Sequence, residues 1–223
     1  MTVPLRIDAD APDLLLGVVE ASGVTVGPSP PALAAEIDAL LAERAAGTAV
    51  PETLRTAVRD LLRRGGYKPT GRGKPASEFL AQAAARGEFP RISNVVDVCN
   101  LLSLASGLPI SLLDVGRALG DAAGLVVRLG REGETYVFNA AGHAIDVAGL
   151  LCVARDAGPP LANAVKDSME SKIRDDTRDV LGVVWGTRAG TDAAAVVALL
   201  ARFEAHLRRD CGAAETASRT LVP

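Results

Sequence analysis

Phe89-Pro-Arg-Ile-Ser-Asn-Val-Val-Asp-Val-Cys-Asn100, followed by Gly107-Leu-Pro109 and Asp114, separates two stretches of different character in a chain of 223 residues. Ser93 or Asn94 stands as an N-cap before Val95, Val96, Leu101, Leu102 and Leu104, and Gly107 closes the run. A capping residue, apolar positions at helical spacing and a terminal glycine predict a helix. Asp97 and Asn100 lie three apart on it, so at least one faces inward or lines a cleft; a buried amide bonded to nearby backbone is the plainer reading of Asn100.

Upstream, Val3 to Ile7, Leu14 to Val19 and Val24 to Val26 alternate with Asp, Gly and Pro, which predicts two or three strands. Leu33, Ile37, Leu40 and Leu41 then mark one helix, and Leu54, Val58, Leu61 and Leu62 a second whose outer side carries Arg55, Arg59 and Arg63. Tyr67 to Ala76 holds two prolines and two glycines and reads as a basic loop, and Ser77 as the cap of a helix ending near Gly87. After Pro109, Leu125 to Leu129, Thr135 to Phe138, Ala144 to Val147, Leu150 to Ala154 and Val180 to Trp185 are short apolar or β-branched runs split by turns, suiting a mostly antiparallel sheet. A last helix starts at Thr191-Asp192. Strands, helices, strands and a helix, without regular βαβ alternation, predict an α+β fold of layered antiparallel or mixed sheets packed with helices. The expected division is 1–50, strands and a helix integral to the domain; 51–211, the core; and 212–223, a flexible tail.

Composition narrows the function. Hydrophobic residues make up 48% of the chain and suffice for a core, but seven aromatics cannot build a multi-ring platform for single-stranded nucleic acid. No 18-residue apolar run and no basic-then-apolar leader is seen, and Cys99, Cys152 and Cys211 follow no disulfide or zinc spacing. A cytoplasmic location, no membrane and neither metal nor cofactor are the expectations. The net charge of −3 hides a basic segment: Arg55 to Arg91 holds nine basic and three acidic residues, net +6, leaving −9 elsewhere.

Gly71-Arg-Gly73-Lys74 is not a phosphate loop of the Gly-x-x-x-x-Gly-Lys-Ser/Thr kind, because Lys68 stands at the first glycine and Pro75 at the metal-binding hydroxyl. Arg63, Arg64, Lys68, Arg72 and Lys74 remain as cations for RNA phosphates, the alternative being a solvated charged surface. His143 and His206 lack a nucleophile pattern and read as surface or structural groups. Asn163 to Thr177 is a dense polar loop between strands, of the kind that carries function or merely crosses over.

These residues resemble a known family. Phe89 to Asn100, Gly107 to Pro109 and Asp114 are similar to the central signature of the B3/B4 module, the editing and tRNA-binding domain of the phenylalanyl-tRNA synthetase beta subunit. Lys74-Pro-Ala-Ser77-Glu-Phe-Leu, Arg128, Gly133-Glu134 and Asp176-Thr177 extend the likeness over Tyr67 to Trp185. The resemblance implies layered sheets and helices, here as a freestanding module without aminoacylation machinery, and hydrolysis of the ester that joins a wrong amino acid to tRNA. It places Asn100, Pro109, Ser111 and Ala164 around the substrate, with Ser111 where the family has His. Asp167 and Ser168 occupy a loop where Gly is usual and become the catalytic candidates, Asp167 as acid, base or amino-group ligand. The family's pocket Glu falls near Val183, where no acid is present.

Three functions follow as expectations. The first is a tRNA-binding protein that hydrolyses mischarged aminoacyl-tRNA in trans. The second is a non-catalytic protein that binds a free amino acid or other small ligand on the same fold. The third, a protein-interaction domain, requires an exposed apolar patch.

Overall fold

The computed structural model describes residues 2–223. Two four-stranded sheets carry an α+β fold. The first consists of β1 (Leu5–Ile7), β4 (Leu125–Leu129), β7 (Leu151–Arg155) and β8 (Pro160–Asn163) in that order, with β1 parallel to β4 and the other pairs antiparallel. The second, fully antiparallel, has the order β10 (Glu215–Leu221), β2 (Leu14–Ser22), β9 (Val180–Thr187) and β3 (Ile110–Asp114). A separate hairpin joins β5 (Thr135–Val137) to β6 (Ala144–Asp146).

β2 and β9 are buried along nearly their whole length, as expected of strands flanked on both sides. Helix α6 (Ala193–Cys211) lies against β2 and β10, and α4 (Asn94–Ser106) packs on α6 and β3. Gly17 and Gly182 let α6 approach: a Cβ on either would press into Val196 or Phe203. The remaining helices are α1 (Pro31–Ala45), α2 (Glu52–Arg63), α3 (Ala76–Ala85) and the short α5 (Val115–Leu119). In α2 the buried stripe is Ala57, Val58, Leu61 and Leu62, which leaves the arginines outside.

Four expectations are corrected. The stretch expected as a flexible tail, 212–223, contains β10, paired with β2 from Glu215↔Ser22 to Leu221↔Leu16. Its sequence lacks apolar alternation because polar bonds hold it: Glu204 accepts from Thr216 and Ser218, and Arg219 pairs with Glu20. Val24 to Val26 is not a strand, since Val24 N–H goes to Arg178 O and Thr25 N–H to Cys211 O, two different segments. Ser77 does not cap α3; the helix starts at Ala76 after Pro75, and Ser77 is buried in its first turn. Finally, Asn163 ends a strand rather than opening a loop.

Candidate functional site

The site forms where the two sheets meet. β3 is an edge strand, and its outer edge is covered by the segment after β8. Asp114 N–H donates to Ser171 O (2.8 Å), the Ser111 hydroxyl donates to Asn163 O (3.0 Å), and Leu112 N–H donates to Asp167 Oδ2 (3.0 Å). A side-chain carboxylate thus takes the place of a neighbouring strand. Trp185, fully buried on β9, donates its Nε1–H to Ser111 Oγ (3.0 Å), so that hydroxyl both accepts and donates inside the core.

Asp167 Oδ1 is shielded from solvent and has no hydrogen-bond partner among the described residues. Burial raises the Asp167 carboxyl to about 6, against the opposing pull of Leu112 N–H and the Lys172 charge. A carboxylate with one oxygen anchored and the other free, titrating close to neutrality, suits accepting a proton or a hydrogen bond from a ligand. Its charge reaches Cys99, whose thiol donates to Ile110 O (3.7 Å). The next residue, Asn100, is half-buried, and its side chain forms no hydrogen bond among the described residues. Asn100 on α4 and Asp167 therefore border β3 with unused polar capacity.

The other residues implied by the resemblance are committed elsewhere. Pro109 is buried and its carbonyl accepts Trp185 N–H (2.9 Å); Ala164 O accepts Ala76 N–H (2.8 Å). Ser168 is buried, with its N–H on Leu161 O (2.7 Å) and its Oγ accepting Glu170 N–H (3.2 Å). Ser111, which the resemblance sets at the family's His, is the register partner of Val183, near which it sets the family's Glu. Trp185 takes up the Ser111 hydroxyl.

Sequence reading missed the groups that shape the loop. Asn163 Oδ1 accepts Val165 N–H (2.8 Å) and Lys166 N–H (3.0 Å), and its amide reaches the Tyr136 hydroxyl, which donates to Lys166 O (2.5 Å). Polar density over 163–177 was the only sequence signal for this. All three cysteines are buried, and burial pushes each thiol well above its ordinary value, to about 12 for Cys152 and Cys211, so none is poised as a nucleophile. Among the described residues, no group of three or more His, Cys, Asp or Glu could hold a metal.

The basic segment divides in two. Arg59 grips Glu78 with two bonds (2.6 Å each), Arg63 pairs with Asp60 (2.6 Å) and Arg64 with Asp13 (2.9 Å). Arg55, Arg86 and Arg91 likewise have acidic partners in Glu52, Glu88 and Asp38. Arg63 and Arg64 border a cavity of about 270 Å³ with Asp13, Asp60 and Thr187, remote in sequence from Asn100 and Asp167. Lys68, Arg72 and Lys74 have no ion pair among the described residues, and all three lie in the loop.

That loop is fastened beside Asp167. Gly65 and Gly149 pack backbone on backbone; a Cβ on either would collide with the other's carbonyl, and Gly149 has φ +73° besides. At the far end, the Ala76–Ala164 bond joins the loop to the 164–168 segment. Arg72 lies near enough to Lys166 for its charge, after burial, to lower the lysine's pKa. The unpaired cations and the buried carboxylate thus belong to adjoining segments.

Fold and motif together define the class: the chain belongs to the B3/4 domain family, whose model matches residues 63–191. Among solved structures, it is similar to an N-terminal fragment of the phenylalanyl-tRNA synthetase beta-subunit from Pyrococcus horikoshii, with a TM-score of 0.51 and 8% identity. The match covers 100% of this chain and 55% of that one, so the chain spans about half the length of its structural relative. No curated protein matches the sequence. No helix among the described residues is long and apolar enough to cross a membrane.

Proposed function

We propose that this protein binds tRNA and hydrolyses the ester that joins a wrong amino acid to it. The observation that supports this most is the shielded, unpartnered Asp167 Oδ1 beside a loop with unpaired cations. In this reading Lys68, Arg72 and Lys74 hold phosphates, and Asn100 hydrogen-bonds the aminoacyl group. Asp167 takes a proton from water as the water oxygen adds to the ester carbonyl carbon. The bond from that carbon to the ribose oxygen then breaks, and the ribose oxygen recovers the proton from Asp167. The products are a free amino acid and a tRNA with its hydroxyl restored.

Deacylation measured across a panel of mischarged tRNAs tests this. Asp167→Asn should lower the rate by about 100-fold or more, while Asn100→Ala should act mainly on KM. The wild-type rate should rise with pH through about 6, as Asp167 loses its proton. An Asp167→Asn protein that deacylates as fast as wild type defeats the proposal. Ser111, already saturated by Trp185 and Asn163, favours the second reading, in which the site only binds an amino acid. Binding of a free amino acid that is indifferent to salt, with no hydrolysis of any tRNA, is that reading's signature.

A further inference from the structure

The edge of a sheet is a row of backbone donors and acceptors that another strand can take up. In this fold the segment after β8 covers β3 and also bonds β8, where Ser168 N–H donates to Leu161 O (2.7 Å); β1 has only three residues. β10 differs. It runs seven residues, Glu215–Leu221, pairs with β2 without a register shift, and among the described residues has no strand on its other side. It contains neither Lys nor Pro, the residues that commonly blunt an edge.

The ladder fixes which groups of β10 point outward. Arg188 N–H donates to Asp13 O (2.8 Å), one step beyond the register pair of Leu14 and Thr187, so odd-numbered residues of β2 bond β9 and even-numbered ones bond β10. Glu20, Val18 and Leu16 therefore engage Ala217, Arg219 and Leu221. Thr216, Ser218 and Thr220 turn their backbone N–H and C=O away from the sheet. Of these groups only Thr216 O has a partner among the described residues, a long contact from Arg208 (3.5 Å).

Helix α6 stands beside this edge. Glu204 accepts from Thr216 and Ser218 and pairs with Arg208 (3.0 Å), so the charge over the strand is balanced. Val197, two turns before Glu204 on the same helix face, is 55% exposed. Its neighbour Val196 lies on Gly17, the register partner of Thr220, which sets Val197 above the end of β10 where Val222 is 51% exposed. Two exposed apolar side chains thus flank the open strand.

We propose that the outer edge of β10 pairs antiparallel with β10 of a second copy of this chain, about a two-fold axis at Ser218, joining two four-stranded sheets into one. Thr216 then faces the partner's Thr220, and Ser218 faces the partner's Ser218, for about six backbone hydrogen bonds in all. The same register opposes no like charges: Glu215 faces the partner's Leu221, and Arg219 faces the partner's Ala217. It also sets exposed Val222 against the partner's Ala214, an apolar pair at each end of the interface. This self-complementarity of charge and apolar surface is what selects a second copy as the occupant.

Sedimentation of the full chain across concentration, with amide exchange read residue by residue, tests this independently of RNA or ester chemistry. A monomer–dimer equilibrium with Kd of roughly 10–100 μM is expected. The Ser218 and Thr220 amides should be protected in the dimer and exchange at least about 100-fold faster on dilution to monomer, whereas Ala217 and Arg219, bonded to β2, stay protected throughout. Thr220→Lys puts a charge on the edge, and Ser218→Pro removes the N–H on the axis; each should weaken dimerisation at least about tenfold. The Thr220 side chain is exposed and forms no hydrogen bond among the described residues, so Thr220→Lys should keep the melting temperature of the monomer. A chain still monomeric at about 1 mM, a dimer whose Ser218 and Thr220 amides exchange as in the monomer, or dimerisation untouched by both variants overturns the proposal.

Discussion

Asp167 sets up a measurable tension between stability and function. Its carboxyl is raised from 3.8 to about 6 in the folded state, so the native protein keeps this proton where the unfolded chain has lost it. Unfolding free energy should therefore fall as pH rises from about 4 to about 6, and above that the full cost remains, on the order of 3 kcal/mol. Asp167→Asn should flatten this dependence and raise the melting temperature at pH 7.5 by several degrees, read by calorimetry across pH. Unchanged pH dependence in the variant would mean that the charge is not confined as described. Asn94 behaves oppositely. It is buried and uses its amide on Gly27 N–H, Val95 N–H, Thr25 O and Asp210 O, tying α4 to the segment after β2 and to α6. Asn94→Ala should cost about 2–4 kcal/mol, seen as a lower urea midpoint at unchanged slope.

At the scale of elements, the signature that reveals the family is mostly scaffold. Asp97 accepts Ile92 N–H (2.8 Å) and the Ser29 hydroxyl (2.7 Å). Asp114 caps α5 through Arg117 N–H (2.8 Å) and accepts the Thr177 hydroxyl (2.7 Å), while Arg117 spans to Asp176. Arg128 clasps Glu134 through two bonds (2.8 and 2.7 Å). Each pair is distant enough in the chain, or specific enough in geometry, to make a recognisable motif, and none faces the free oxygen of Asp167. Most helices and the β-branched strands were legible because burial of one face imposes a period on the side chains. β10 was not, because an edge strand held by backbone and polar bonds leaves no such period. Its contribution is testable through Arg219, which pairs with Glu20, a buried acid whose other contact is Val3 N–H. Arg219→Met should destabilise the protein by about 3 kcal/mol in urea unfolding, since it strands a buried carboxylate. A loss under about 0.5 kcal/mol would show that β10 is held by its backbone alone.

For the whole molecule, charge pairing changes what the +6 segment can do. Six of its nine cations are neutralised by Glu52, Asp60, Glu78, Glu88, Asp13 and Asp38, and the three with no ion pair among the described residues lie in one loop, with Lys166 added from another. If these four meet RNA phosphates, the logarithm of affinity for a single-stranded oligonucleotide should fall against the logarithm of salt with a slope of about 3. A slope of about 6 would mean that the whole segment binds and that its ion pairs break on contact.

The sequence by itself determined the α+β class, the positions of most helices and the kinship to the B3/4 family, because periodic burial, turn chemistry and motif spacing are written along the chain. It also placed Asn100, Ser111 and Asp167 as a set worth following. Only the tertiary structure shows which of them have their hydrogen bonds satisfied, since that depends on neighbours remote in sequence. Trp185 and Asn163 close off Ser111, whereas Asp167 Oδ1 is left without a partner. The same is true of charge: arginines that look alike along the chain differ once Asp13, Asp38 and Glu78 are folded against some of them, while among the described residues no acid pairs with Arg72 or Lys166.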